Sequence, residues 1–335
     1  MIKQGVSFYS YQESFRAGKM TLEDMVAEVR NLDCDGIELV PIQTPPSSYP
    51  KATQQEIEDW HLLMEKYNTK PVCLDTIIVT DPAWLRGPAG PNVHLNAGFE
   101  EQVQLMKDEL LLCHQLGFPI MRVPILYGIG IDTIEAVLPV AEEYGIKLGM
   151  EIHVPMTIKG ERVQRYLDMI DRTGTKFAGL IPDMAIFATT LPVRLVDKTA
   201  REGGDPTVIE QIVQAYEADE DMEKFKEELG DPKGCDALLA FAIRYKKSSI
   251  SDLEEVLDKV IHFHAKFYDV DENLQEHGIR FDKVIPLLVA KGYDGYLNSE
   301  YEGQRMYVEG EKANELEQVR RQHQMVDKLI ASAKN

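Results

Sequence analysis

Eight short apolar runs, separated by longer amphipathic stretches, recur along almost the whole chain, and this alternation limits the fold more than any other feature. The runs cover 5–9, 36–40, 70–75, 120–123, 147–151, 178–182, 260–264 and 295–300. Between them lie helical patterns such as "TLEDMVAEVRNL", "QQEIEDWHLLMEKY", "EEQVQLMKDELLLCHQL", "DTIEAVLPVAEEY" and "FDKVIPLLVAKG". Strands apolar on both faces that alternate with helices predict a parallel sheet covered by helices. A weak repeat agrees: "LDCDGIELV", "LGFPIMRVP", "YGIKLGMEI" and "KGYDGYLNSE" each end a helix and enter a strand within a few positions. Gly117, Gly145 and Gly292 are expected at helix C-caps, where φ is positive. Eight β/α units predict a closed (β/α)8 TIM barrel, with 1–335 as a single domain. An open doubly wound sheet is the alternative, but no GxGxxG follows the first run.

One interval breaks the rhythm. Between the sixth and seventh runs, 189–249 is far too long for one helix, and it carries "AREGGDPT" and the acidic "EADEDMEKFKEEL". It is expected to be a helical insertion over the barrel mouth or at a subunit contact, its acidic run forming a solvated face.

Charge narrows the partners. With 36 basic and 56 acidic residues the net charge is -20, which disfavours nucleic acid and membrane surfaces as partners. Four scattered cysteines without a CxxC pair predict reduced thiols rather than a disulfide framework or zinc knuckle. The opening "MIKQGVSFYSYQ" lacks the apolar run of a signal peptide, and a soluble, cytoplasmic protein is expected.

In a (β/α)8 barrel the C-terminal ends of the strands share one pocket. Here strand five ends in Glu151 and His153, strand six in Asp183, strand seven in "IHFHAKF" and strand eight in Glu300. Any one of these residues is more often a helix cap or a solvated loop residue. Three carboxylates and an imidazole on four neighbouring strand ends are another matter, because together they would repel and lose solvation unless a dication joined them. Oxygen-rich donors with one imidazole suit Mn²⁺ first, with Mg²⁺ or Co²⁺ as alternatives; zinc would draw more nitrogen or sulfur. Of the two strand-seven histidines, one is expected to face the interior and the other the helices.

The order Glu, Asp, His-x-Lys, Glu resembles the xylose isomerase-like barrels, the sugar phosphate isomerase/epimerase group. "EIH" at 151–153, "PD" at 182–183, "HAK" at 264–266, "SEYEG" at 299–303 and the opening "GVSFYSY" carry the likeness. The resemblance implies a metal held by Glu151, Asp183, His264 and Glu300, the His-x-Lys spacing selecting His264 over His262. It implies proton transfer beside a metal-polarised sugar carbonyl or hydroxyl, with His153, Glu151, Glu300 and Lys266 as candidate catalytic groups. Arg122, at the end of strand four, is a candidate for a substrate oxygen, its bland alternative being a surface salt bridge. Tyr9, Tyr11 and Gln12 follow strand one and are candidates to line the sugar site. Within the family, "GIKLGMEIHVP" and "GLIPDMAIF" resemble C-glycoside deglycosidase α subunits, which cleave a carbon–carbon bond of a 3-oxo-C-glycoside and work with a small β subunit. A homo-oligomer or a complex with such a subunit is therefore expected, acting on a small sugar or glycoside.

Two rival classes are weaker. Endonuclease IV shares the barrel but needs more histidines and a basic face, whereas this chain has eight His in all and a charge of -20. A barrel that binds sugar without chemistry has no reason to keep such a cluster of charges.

Overall fold

The computed structural model describes residues 1–40, 49–84 and 92–334. Eight strands follow one another as β1 (Lys3–Ser7), β2 (Gly36–Leu39), β3 (Lys70–Asp75), β4 (Ile120–Val123), β5 (Lys147–Ile152), β6 (Ala178–Pro182), β7 (Phe263–Phe267) and β8 (Tyr296–Tyr301). All neighbours pair in parallel in the order β6-β5-β4-β3-β2-β1-β8-β7. The two ends of that order meet through bridges from Leu180 to Val260 and from Asp183 to His264, so the sheet closes on itself as the β/α alternation predicts.

The helices form where the sequence periodicity places them. α1 (Gln12–Arg16), α2 (Leu22–Asn31), α3 (Gln54–Tyr67), α4 (Phe99–Gln115), α5 (Ile131–Tyr144) and α6 (Glu161–Thr173) precede β6. Thr21 with Asp24, and Thr53 with Glu56, form capping boxes that start α2 and α3. Gly117, Gly145 and Gly292 do close helices with positive φ. The layer of helices is pinned to the barrel by large side chains: Trp60 on α3 stacks on Phe118 and donates its indole N–H to the Leu116 carbonyl at 2.9 Å.

Five helices lie between β6 and β7: α7 (Val193–Arg201), α8 (Pro206–Glu217), α9 (Met222–Leu229), α10 (Asp236–Arg244) and α11 (Ile250–Val256). α12 (Phe281–Ala290) and α13 (Glu315–Ala333) follow β7 and β8. The stretch before α11 packs on the C-terminal ends of the strands. Ser248 donates its backbone N–H to Ile186 after β6, and its hydroxyl accepts from Ile158 N after β5. Arg194 ion-pairs with Asp269 after β7, and Arg201 meets Glu311 after β8 at 2.7 Å. The acidic run 217–229 leaves helix α8 after Glu217 and is helical again from Met222. Among the described residues no helix is long and apolar enough to cross a membrane, and all four cysteines are buried and unpaired.

Strand seven differs from expectation. It begins at Phe263, three residues beyond the apolar run at 260, because Leu257–Lys259 form a 3-10 turn and Val260 makes only an isolated bridge. The shift places Lys266 inside the strand. It also shows that both His262 and His264 reach Glu38 in the barrel interior, rather than facing opposite ways. Residues two apart on an extended chain share a face, so the expectation of opposite faces was geometrically wrong.

Candidate metal centre and active site

The barrel interior changes character from bottom to top. Its floor is apolar, built from Val72, Cys73, Ile120 and Ile181 with Ile261 and Tyr296 packed against them. Level with Cys73 and above the rest of this floor lie Glu38 of β2 and His262 and His264 on β7 and its approach, all fully buried. At the strand ends Asp75, Arg122, Glu151, Asp183, Lys266 and Glu300 converge, every one of them nearly closed to solvent.

Three of the four expected metal ligands meet directly. Single ligand atoms from Glu151, His264 and Glu300 all lie within 4.8 Å of one another. His264 Nδ1 is 2.8 Å from Glu151 Oε1 and 3.8 Å from Glu300 Oε2, and that Glu300 oxygen has no hydrogen-bond partner. Asp183 faces the same space, but Lys266 Nζ donates to its Oδ2 at 2.6 Å, and its Oδ1 accepts from Ala185 N as the cap of a 3-10 turn. Lys266 Nζ also lies 3.4 Å from Glu300 and 3.5 Å from Glu302.

The charges do not balance within the protein. Glu38, Asp75, Glu151, Asp183, Glu300 and Glu302 supply carboxylates, against three permanent cations, Arg122, Lys266 and, beside Glu302 at the rim, Arg305. Burial works to lower the His264 pKa, but Glu38, Glu151 and Glu300 outweigh it and hold it well above the ordinary imidazole range. Burial drives Glu300 well up, despite Lys266 and His264. It would also raise Glu151, which Arg122 and His264 instead keep well below the usual carboxylate range. With its proton on Nε2, a neutral His264 would set the Nδ1 lone pair against a Glu151 lone pair at 2.8 Å, so either a proton on Nδ1 or a metal ion stands between them. A divalent ion fits better: it offsets more of the surplus charge and gives a ligand role to the Glu300 oxygen that lacks a hydrogen bond.

The other expected residues divide. His153 follows β5 with its side chain 14% exposed, its Nε2 3.8 Å from Asp183 Oδ2. Its Nδ1 lies 2.6 Å from the Val154 carbonyl and donates to it, which leaves Nε2 as the free acceptor facing the cluster. Burial, then Lys266, lowers its pKa, so the ring is neutral near pH 7. Arg122 is no surface salt bridge; it is buried, paired with Asp75, 3.7 Å from Glu151 and under the Tyr127 ring. Tyr9 and Gln12 reach the rim, where Gln12 accepts from Arg305 at 3.3 Å and Glu302 stands beside Tyr9. Tyr11 does not: it is wholly buried among Glu28, Cys34 and Glu315, away from the strand ends. Both tyrosines lie on the 3-10 turn Phe8–Tyr11, where residues two apart point in different directions.

Four participants escaped the sequence reading. Glu38 and Asp75 stand within or at the end of β2 and β3, and each breaks an apolar run in "GIELV" and "PVCLD". That was the available signal. Glu302 lies one residue past β8, in "SEYEG". Tyr245, from the chain between β6 and β7, lies near Glu302, Lys266 and Asp183, with its ring edge-on to Tyr268; nothing local marked it.

Comparison with known proteins agrees with this fold. The sequence model of the xylose isomerase-like TIM barrel family matches residues 26–329. The 3'-dehydrocarminate deglycosidase alpha subunit of a Microbacterium species is 26% identical over 321 residues, covering 89% of this chain and 88% of that protein. A C-glycoside deglycosidase alpha subunit of Arthrobacter globiformis is 26% identical over 345 residues, covering 99% and 93%. Among solved structures, an L-ribulose 3-epimerase superposes with a TM-score of 0.58 at 11% identity, covering 100% of this chain and 96% of its own. The IOLI protein with a bound zinc atom superposes with a TM-score of 0.57 at 12% identity, covering 98% of each chain. The closed parallel barrel, the residues gathered at its strand ends and the span of the family match lead to one conclusion: this chain belongs to the xylose isomerase-like TIM barrel family.

Proposed function

We propose that this protein is a divalent-metal-dependent carbohydrate-active enzyme of the sugar isomerase/epimerase type. The observation that carries the reading is the meeting of Glu151, His264 and Glu300 at the ends of β5, β7 and β8, with His264 Nδ1 turned toward both carboxylates. These three residues would hold the ion, with Asp183 beside them; Mn²⁺ suits the donor set best, and Mg²⁺ or Co²⁺ is accommodated. When bound, the ion supplies Lewis-acid polarisation of neighbouring substrate oxygens.

The chain's own groups then divide the work. His153 Nε2, neutral and lined up by its Nδ1–H bond to Val154, takes a proton from a carbon beside the substrate carbonyl. Lys266 Nζ neutralises the carboxylates around it and offers a donor to the oxygen that gains charge. Glu151 and Glu300 border the same space and are the candidates to return the proton. Arg122, Tyr9 and Gln12 bind and orient substrate oxygens. Tyr245 and the helices preceding it cover the mouth and exclude water.

A second reading is favoured by the curated relatives, both named alpha subunits of deglycosidases that this chain matches over nearly its full length. On that reading the protein is the α subunit of a C-glycoside deglycosidase, with a small β subunit as partner. The same base and the same polarised oxygens would serve the enolate that carbon–carbon cleavage requires. The test is to load the purified protein with Mn²⁺ and incubate it in deuterium oxide with ketoses, inosose-like compounds and 3-oxo-C-glycosides. Deuterium entering a carbon next to the carbonyl of a ketose supports the first reading. Release of a free aglycone from a 3-oxo-C-glycoside supports the second. Absence of deuterium uptake from every ketose and inosose-like compound, with metal bound, refutes the first reading; absence of aglycone release with a β subunit also present refutes the second.

A further inference from the structure

Below the metal-ligand group, Glu38 joins two elements that are not neighbours in the sheet. It lies on β2, paired with Ser7 of β1 and Cys73 of β3, and its side chain crosses the barrel to His262 and His264, which approach from the β7 side. His262 Nε2 donates to Glu38 Oε2 at 2.8 Å, across 224 residues of sequence. His264 Nε2 lies 3.3 Å from the same oxygen and has no hydrogen bond as it stands. All three side chains are fully buried.

A carboxylate on the inner face of a barrel strand is costly unless something requires it. Packing gives no reason for it, since the neighbouring interior positions at this depth tolerate Cys73 and an unpartnered Asn298. The chemistry of an imidazole ligand does. A neutral imidazole that ligates through Nδ1 must carry its proton on Nε2, and a buried N–H needs an acceptor. Glu38 Oε2 is the carboxylate oxygen beside that nitrogen. An anionic acceptor makes the bond charge-assisted, fixes the ring plane and raises the basicity of Nδ1.

We propose that Glu38 is the positioning residue for His264, holding its ring so that Nδ1 faces Glu151 and Glu300, and that His262 clamps Glu38 in place. The inference rests on the metal reading above. It turns a histidine that sequence pattern assigns to packing into part of the support of the site, and adds a carboxylate from the far side of the barrel. Glu38 touches neither the ion nor the substrate; it acts through the ring.

Chelator competition with Zn²⁺ and Mn²⁺ tests this on the full chain without reference to turnover. Glu38→Leu should weaken metal binding by about 10- to 100-fold. The isosteric Glu38→Gln keeps the shape and a neutral acceptor, and should lose only a part of that. In the Zn²⁺-loaded parent, ¹⁵N-labelled histidine should show one ring ligated at Nδ1 with a strongly deshielded Nε2 proton. That proton should move upfield in Glu38→Gln, which a role in packing alone would not cause. Parent-like affinity and an unmoved proton in Glu38→Gln, together with parent-like affinity in a folded Glu38→Leu, would overturn the positioning role while leaving the metal site intact. A parent protein that binds neither metal would overturn the metal reading itself, and this inference with it.

Discussion

Lys266→Met should destabilise the metal-free protein far more than the metal-loaded one. Lys266 is 1% exposed and faces Asp183 at 2.6 Å, Glu300 at 3.4 Å and Glu302 at 3.5 Å. Its ammonium is held protonated well above the ordinary lysine range, because burial is outweighed by these carboxylates. Methionine fills much the same volume, so the change removes charge rather than packing. Removing one partner of a buried ion pair typically costs about 3–5 kcal/mol, and with three carboxylates around one ammonium the upper half of that range is expected. A divalent ion at Glu151, His264 and Glu300 neutralises part of the same surplus, so the gap should shrink to roughly half in its presence. Urea unfolding followed through Trp60, which is buried against Phe118, measures both states, one in chelator and one in saturating Mn²⁺. An equal loss in both conditions would mean that Lys266 acts by packing and not by charge. No loss in either would mean that the carboxylates already sit protonated, and the charge argument for the site would fail.

Two further predictions concern protons. His153→Gln should leave chelator competition unchanged but cut turnover about 10²–10⁴-fold. Because burial and Lys266 lower the His153 pKa below its usual 6.5, the parent kcat/KM should rise with pH up to about that value and then level off, and the variant should lack this acid limb. His323, buried on α13, has its pKa pushed down to about 4 by burial, against 6.5 ordinarily. The unfolded chain therefore binds a proton that the folded chain refuses, and stability falls as pH drops from about 6.5 to 4, by up to about 3 kcal/mol, while above 6.5 the contribution is fully present. Urea midpoints at pH 7, 5.5 and 4.5 should show a shallower fall in His323→Asn than in the parent; parallel curves would assign the acid sensitivity to other groups.

How much of this was legible in the sequence follows from how local each signal is. The barrel was legible because parallel strands buried on both faces read as apolar runs, and each helix carries its own amphipathic period and stop. Glu151, Asp183 and Glu300 were legible because each ends such a run abruptly. The start of β7 was not, since after the 3-10 turn ends at Lys259 the run "VIHFHAKF" passes into the strand at Phe263 with no turn residue to mark the change. Glu38 and Asp75 were visible as charges inside apolar runs, but what they do depends on partners across the barrel, which no local pattern records. Tyr11 misled for a related reason: adjacency to a strand end says nothing of direction once the chain enters a 3-10 turn.

On the proposed function, the same non-local logic gives the chain between β6 and α11 a bearing on chemistry although its own sequence carries no catalytic pattern. A cluster of six carboxylates with three fixed cations is strongly coupled only where water is scarce, because bulk solvent would screen it. The barrel walls provide that shielding at the sides and floor, through Ile120, Ile181 and their neighbours. They provide none at the mouth. There the stretch before α11 brings Tyr245 and Phe241, stacked on one another, against Tyr268, and sets Arg244 over the ring of Trp84, which in turn meets Tyr127 above Arg122. Aromatic rings with few polar atoms cover charged groups without competing for their hydrogen bonds, and the cation–π contacts tie that cover to the rim on the β3 and β4 side. On the proposed function, the helices after β6 supply no proton and no ligand; they set the dielectric in which His153, Lys266 and the ligand carboxylates act.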